Sequence, residues 1–207
     1  MRVKTIVYID GFNLYHGALR NTPFKWLDIS RLCTHLLQGH QIEKIKYFTA
    51  PMKVRAGDPD PDKPVRQQIY LRALRTLPNV EIIEGFFLMH AVFMRRVDGK
   101  GSVNVLKTEE KGTDVKIAAH LLHDGHNNAY EMAVVISNDS DLAEPIKMVV
   151  QDLKRQVVVI SPFKKNTLEL ARVASSRRQI RKGVLGISQF PIELTDAVGT
   201  FRKPASW

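Results

Sequence analysis

Three short stretches hold the residues best suited to chemistry. VKTIVYID runs apolar into Asp10, which Gly11 and Asn13 follow; VVISNDSDLAEPI runs apolar into Ser137, Asn138, Asp139 and Asp141; EEKGTDVKIAAHLL carries Asp114 just after Gly112. Ser, Asn and Asp accept hydrogen bonds from the free N–H groups of a helix start, so capping accounts for one side chain per stretch. The excess carboxylates need another explanation. If the strands ending at Asp10 and Ile136 lie side by side, Asp10, Asp139 and Asp141 meet at one sheet end and repel one another, with Asp114 joining from a helix start. Crowded carboxylates have raised pKa values unless a cation neutralises them. An oxygen-only set suits Mg²⁺ or Mn²⁺. Such an ion activates a water and stabilises charge on a phosphoryl oxygen, which is phosphodiester chemistry. A set of plain caps and a regulatory metal site are the other readings of the same residues.

The elements that must position these residues alternate between strand and helix, which predicts an α/β fold with parallel strands and covering helices. Strands are expected over Val3 to Ile9, Ile42 to Phe48, Val80 to Phe87, Ala133 to Ile136 and Val157 to Ile160. Helices are expected from Asn13, over Asp28 to Gln38 with Gly39 as its stop, over Pro64 to Leu77, over Thr113 to His123 and over Asp141 to Gln151. APMKVRAGDPDPDKPV reads as an exposed loop. Val92 to Arg96 and Ser102 to Leu106 flank Asp98-Gly99-Lys100-Gly101, a hairpin signal inserted into the α/β pattern as an excursion at the rim. From Arg172 the chain, including SSRRQIRKG, reads as helical and basic, then as irregular through QFP and RKPASW. In open α/β sheets ligands bind beyond the carboxyl ends of the strands, where the acids of the first and fourth strands fall.

At 207 residues, 44% of them hydrophobic, the chain suits one α/β domain, with its core over about 3–173 and a basic tail over about 174–207. No apolar run approaches the roughly 20 residues that span a bilayer, and the N-terminus meets Asp10 too soon for a signal peptide. No membrane partner is expected. One cysteine, Cys33, excludes an intramolecular disulfide and a thiolate metal cluster, and the expected location is cytoplasmic. Thirty-one Lys and Arg against 21 Asp and Glu give a formal net charge of +10, which favours a polyanionic partner through phosphate contacts. Arg177, Arg178, Arg181 and Lys182 are candidate nucleic-acid contacts, weighed against a solvated helix face. Lys111 and Lys116 flank Asp114 and are candidate phosphate contacts, weighed against solvated lysines. Phe12 is a candidate stacking residue for a base, whereas Tyr8, Tyr15 and Trp26 read as core or rim aromatics. His16 is read first as a surface or packed histidine and second as a contact near Asp10. His120, His123 and His126 lack a zinc-site pattern.

IDGFNLYHG, KGTDVKIAAHLL and VVISNDSDLAEPI, in this order, resemble the signature segments of the NYN-domain family in its LabA-like bacterial branch, within the PIN-like nucleases. The terminal RKPASW resembles that branch's ending. The resemblance implies a three-layer α/β/α PIN-like sandwich around a mainly parallel five-stranded sheet ordered 3-2-1-4-5, with the first and fourth strands adjacent. It also implies metal-dependent ribonuclease activity. The family's four acidic positions fall on Asp10, Asp114, Asp139 and Asp141, which would hold Mg²⁺ or Mn²⁺, and its amide falls on Asn13, orienting a water, a phosphate or Asp10. Ser137 and Asn138 would support the strand end through hydrogen bonds. The implied partner is RNA, taken as single-stranded, and a homo-oligomer is allowed. Two other function classes stay open at this point: a non-catalytic nucleic-acid-binding or regulatory protein with a structural metal, and another metal-dependent phosphoryl hydrolase.

Overall fold

The first strand, β1 (Val3–Asp10), is buried from Thr5 to its end, which is why it reads as an unbroken apolar run: strands of a parallel sheet are covered on both faces. The structure, a computed structural model, describes residues 2–54, 60–165 and 167–207. Residues 55–59 of the expected proline-rich loop lie outside the described residues. A short helix α1 (Gly11–Leu14) passes directly into a π-helical turn over Tyr15–Leu19. The chain continues through α2 (Ile29–Leu36), β2 (His40–Thr49), α3 (Lys63–Arg75) and β3 (Val80–Glu84), and then leaves the sheet as a ribbon of β4 (Phe86–Arg95) and β5 (Ser102–Lys111). It returns through α4 (Thr113–His126), β6 (Met132–Ile136), a 3₁₀ turn over Ser140–Leu142, α5 (Ala143–Gln151), β7 (Gln156–Ser161), α6 (Leu168–Val173), β8 (Ser176–Gln179), α7 (Lys182–Ile187), β9 (Glu193–Asp196) and β10 (Gly199–Arg202).

The central sheet has six parallel strands in the order β3-β2-β1-β6-β7-β8. Side chains alternate across it. Val7 and Ile9 pack with Leu32, Leu71, Leu74 and Leu185 of α2, α3 and α7. Ile6 and Tyr8 pack with Ile117, Leu121, Ile146, Val149 and Leu170 of α4, α5 and α6. This is the expected three-layer sandwich, with the first and fourth expected strands adjacent and one strand more than the five expected. Cys33 is fully buried in the first of these layers. In the other layer Lys46 pairs with Asp124 at 2.6 Å, and the Tyr8 hydroxyl donates to the same carboxylate at 2.7 Å. A buried charge is tolerated only when paired in this way.

Three segments differ from the sequence expectation. SSRRQ is not helical: its residues 176–179 are the edge strand β8, pairing with β7 from Val158–Ser176 to Ser161–Gln179. An edge strand carries charged side chains on both faces, so no apolar alternation marks it in the sequence. The third strand stops at Glu84, because Gly85 redirects the chain, and the apolar run that follows is the first half of a ribbon ten residues long on each side. Finally, the segment through QFP and RKPASW, irregular at those two strings as expected, carries a regular element between them. This is the β9–β10 hairpin, held by Arg72 on Asp196 at 2.7 Å through two nitrogens. Phe190 and Trp207 pack on the buried Trp26, and the Trp26 indole N–H donates to the Pro191 carbonyl at 2.7 Å.

Candidate active site

The register of β1 on β6 sets Ile9 beside Ile136, so the next residues, Asp10 and Ser137, leave the sheet side by side. Asp10 is buried and both its oxygens are used: Oδ1 accepts the Asn13 N–H at 2.9 Å and Oδ2 accepts the Ser137 hydroxyl at 3.0 Å. Ser137 Oγ in turn accepts the Asp139 N–H at 3.1 Å, and Asp139 Oδ1 caps the 3₁₀ turn by accepting the Asp141 N–H at 3.0 Å. The caps expected of these residues are therefore present. They do not account for the crowding: Asp10, Asp114, Asp139 and Glu110 line one cleft of about 170 Å³ with Phe12, Asn13, His16, Thr113 and Phe163.

Gly11 is required by close approach. A Cβ there would lie 2.7 Å from the Phe48 carbonyl oxygen and from the Tyr47 ring, so only glycine lets the chain turn from Asp10 straight into α1. Gly112 is required by conformation, since it starts α4 at φ +88°. That turn sets Asp114 in the first turn of α4, where the helix dipole favours a carboxylate. Burial pushes the Asp10 carboxyl up to about 6, against the opposing hydrogen bonds from Asn13 and Ser137, and the charges of Asp139 and Glu110 add to the rise. Burial also pushes Asp114 up to about 6, with the charges of Asp10, Asp139, Glu110 and Asp141 behind it.

The donor set is all oxygen, and the neighbouring carboxylate charges add to the rise of both Asp10 and Asp114; both features fit a hard divalent cation. Among the described residues, no three His, Cys, Asp or Glu side chains are grouped closely enough to enclose one ion as they stand. Asp141 is exposed beside the cleft and does not line it, acting on Asp114 through its charge.

Asn13 lines the cleft with its backbone N–H on Asp10, and its side-chain Oδ1 accepts the Asn138 N–H at 2.8 Å, bridging the ends of β1 and β6. Asn138 itself latches the β7–α6 loop. Its Oδ1 accepts from the Ser161 hydroxyl at 3.1 Å and the Thr167 N–H at 2.9 Å, and its Nδ2 donates to the Lys165 carbonyl at 3.2 Å. The two lysines flanking Asp114 are engaged at the ribbon's base. Lys111 pairs with Glu109 at 2.9 Å, and Lys116 donates to the Glu84 carbonyl.

Strand alternation sends Arg177 and Arg178 to opposite faces of β8. Arg178 donates to the Leu36 carbonyl at 3.0 Å, while Arg177 lines a shallow depression with Arg172. Neither lines the cleft. Arg181 and Lys182 are exposed just past the end of β8, where Gln179 donates to the Phe163 carbonyl at 2.7 Å. They therefore stand at the same sheet end as the acids. His16, weighed above first as a surface or packed residue, is exposed and lines the cleft.

Three cleft residues were missed. Glu110 arrives because β5 ends where α4 begins, and it accepts hydrogen bonds from the Thr113 N–H at 3.2 Å and the Thr113 hydroxyl. Thr113 comes with it. Phe163 follows β7, and its place just beyond a strand's carboxyl end was the only signal that could have found it.

The family model for the NYN domain matches residues 4–180. The chain is 30% identical over 240 aligned positions to 6-hydroxy-3-succinoylpyridine 3-monooxygenase HspA of Pseudomonas putida, covering 99% of this chain and 75% of that protein. It also resembles the crystal structure of a protein of unknown function from Vibrio parahaemolyticus, with a TM-score of 0.57 at 17% identity over 87% of this chain and 94% of that one. That likeness concerns the fold alone.

Proposed function

Because this chain belongs to the NYN domain family, whose members are generally nucleases, we propose that it is a metal-dependent ribonuclease of the family's LabA-like branch, acting on single-stranded RNA in the cytoplasm. The observation that carries the reading is the crowding of Asp10, Asp114, Asp139 and Glu110 in one cleft at the carboxyl end of a parallel sheet, with Asp10 and Asp114 each pushed up to about 6. A role as helix caps gains nothing from such repulsion.

In this reading Asp10, Asp114 and Asp139 hold Mg²⁺ or Mn²⁺, with Asp141 and Glu110 at the margin. The bound ion supplies an activated water and a counter-charge for the phosphoryl group. Ser137 fixes the Asp10 carboxylate through its hydroxyl, and Asn13 keeps the two strand ends at a constant separation. Thr113 holds Glu110 against the start of α4. Arg181 and Lys182 offer a phosphate track along the same sheet end. Self-association belongs to the same proposal: Phe93, Val97 and Leu106 on the ribbon are 74%, 108% and 66% exposed, a surface suited to a second copy that sedimentation velocity would detect.

The name of the Pseudomonas relative supplies a second reading, oxygen transfer to a heteroaromatic ring, supported by a match over nearly the whole chain. The crowded, all-oxygen acids of the cleft suit a divalent ion at a phosphodiester, and the family's members are generally nucleases, so hydrolysis is preferred. One preparation decides between them. Labelled single- and double-stranded RNA and DNA are incubated with Mg²⁺, Mn²⁺ or EDTA, beside an oxygen-electrode trace with a hydroxypyridine and a two-electron reductant. Mn²⁺-dependent, EDTA-sensitive cutting of RNA that Asp114→Asn abolishes is the expected result. Oxygen uptake without cutting would replace the proposal with the second reading.

A further inference from the structure

Part of the lining of the cleft is aromatic. Phe12, His16 and Phe163 all line it. The Phe12 ring packs edge-on against Phe87, at 5.6 Å between centroids and 77° between planes. No ring contact joins Phe12 to Phe163 among the described residues, although both border the same space. At about 170 Å³ the cleft falls below the roughly 300–1,000 Å³ of sites for drug-sized ligands, so it admits a single ring system.

Two local features hold this lining in place. The Arg20 N–H donates to the Tyr15 carbonyl at 2.8 Å across five residues, a π-helical turn that widens the helix beside His16. Such turns are rare and concentrate at functional sites. Gly17 in the same turn has Phe163 lying on it: a Cβ there would be 2.7 Å from Phe163 Cδ2. The Phe163 backbone is pinned in turn, its N–H donating to Ser161 Oγ at 3.1 Å and its carbonyl accepting from Gln179 at 2.7 Å. The partial desolvation of this otherwise exposed ring and the charge of Arg20 lower the His16 pKa. A neutral imidazole presents one donor and one acceptor, the pattern needed at the edge of a heteroaromatic ring.

We propose that Phe12, His16 and Phe163 form a slot for one planar heteroaromatic ring, an unpaired nucleobase of a single-stranded polynucleotide, seated so that the adjoining phosphate lies at the acids. The inference rests on the nuclease reading for its phosphate, but the slot is independent of any cleavage. A base in a duplex is stacked and paired and cannot enter unless it is extruded, so the slot selects unpaired nucleotides. Base–aromatic stacking is sequence-tolerant, so the slot recognises the presence of a base more than its identity.

The test uses the full chain in EDTA, so that binding is read without cutting. Labelled uridine nine-mers, each carrying one abasic nucleotide at a different position, are compared with the intact nine-mer by fluorescence anisotropy. One position is expected to matter most, with its base worth about tenfold in affinity. Phe163→Leu keeps an apolar side chain on Gly17 but has no π face; it should bind the intact nine-mer about tenfold more weakly and no longer distinguish it from the abasic set, with an unchanged melting temperature. His16→Ala should weaken the same position to a lesser degree. Equal binding of intact and abasic oligonucleotides by the parent overturns the slot. So does full discrimination retained by Phe163→Leu. Saturation-transfer NMR with free uridine and free 2-hydroxypyridine separates the sources of the ring: Phe163-dependent binding of the free ring without any abasic effect would assign the slot to a small molecule and overturn the polynucleotide assignment. Base-dependent binding by a protein that never cuts would refute the nuclease reading while leaving the slot intact.

Discussion

Asp10→Asn should make the metal-free protein more stable at neutral pH while abolishing its response to Mn²⁺. Burial pushes the Asp10 carboxyl from an ordinary 3.8 up to about 6. A two-unit rise means that the ionised carboxylate costs the folded state about 3 kcal/mol near pH 7.5. Asn removes that charge and still accepts the Asn13 N–H, because Asn caps a helix as well as Asp does. It loses the carboxylate oxygen that accepts the Ser137 hydroxyl, a loss of about 1 kcal/mol. The expected net gain is about 1–2 kcal/mol, which for a domain of this size raises Tm by roughly 3–6 °C.

The pH dependence has a fixed sign. A carboxyl whose folded pKa lies above its ordinary value favours the folded state when protonated, so its contribution is complete below about pH 4 and is lost as pH rises through about 6. Parent and variant should therefore melt further apart in EDTA as the buffer is taken from pH 4 to pH 7.5. Mn²⁺ should raise the Tm of the parent alone. Scanning calorimetry of both proteins across that range, with and without Mn²⁺, measures all three effects. A variant less stable than the parent at pH 7.5 in EDTA would show that Asp10 is a structural cap whose charge is already satisfied, and the crowding argument would fail with it.

Asp139→Asn should lose nearly all Mn²⁺-dependent cleavage yet keep its RNA affinity and its metal-free stability, because the amide still caps the Asp141 N–H; full cleavage would return Asp139 to a capping role. Gly11→Ala should destabilise the fold by about 1–3 kcal/mol in urea titration, since the new methyl meets the Phe48 carbonyl and the Tyr47 ring, and an unchanged midpoint would contradict the close approach. Replacing Arg181 and Lys182 by Ala should weaken RNA binding and reduce the slope of log affinity against log salt by about 1–2, whereas Arg177→Ala should change neither. Lys46→Ala should cost about 3–5 kcal/mol in the same urea assay, since it leaves the Asp124 carboxylate buried without its partner at 2.6 Å.

The sequence by itself determined the layered α/β order and the strand ends that carry Asp10 and Asp139. A strand buried on both faces must be continuously apolar, so the residue that breaks the run marks where the chain leaves the core. Gly112 before Asp114 and the glycines between β4 and β5 were legible for a related reason, since positive φ values restrict the choice of residue. The edge strand β8 was not legible: its side chains face solvent, and its place depends on hydrogen bonds to β7 that any backbone can make. The packing of Trp207 on Trp26 across the chain was hidden for the same reason, as no local periodicity encodes a contact between the tail and the core. Within the cleft, residue types marked the acids, but only the return of the ribbon brought in Glu110, and only the π-helical turn and Gly17 brought His16 and Phe163 to its lining. Their positions follow from where distant backbone segments cross, which is decided by the packing of the whole sheet and its helices and not by the spacing of residues along the chain.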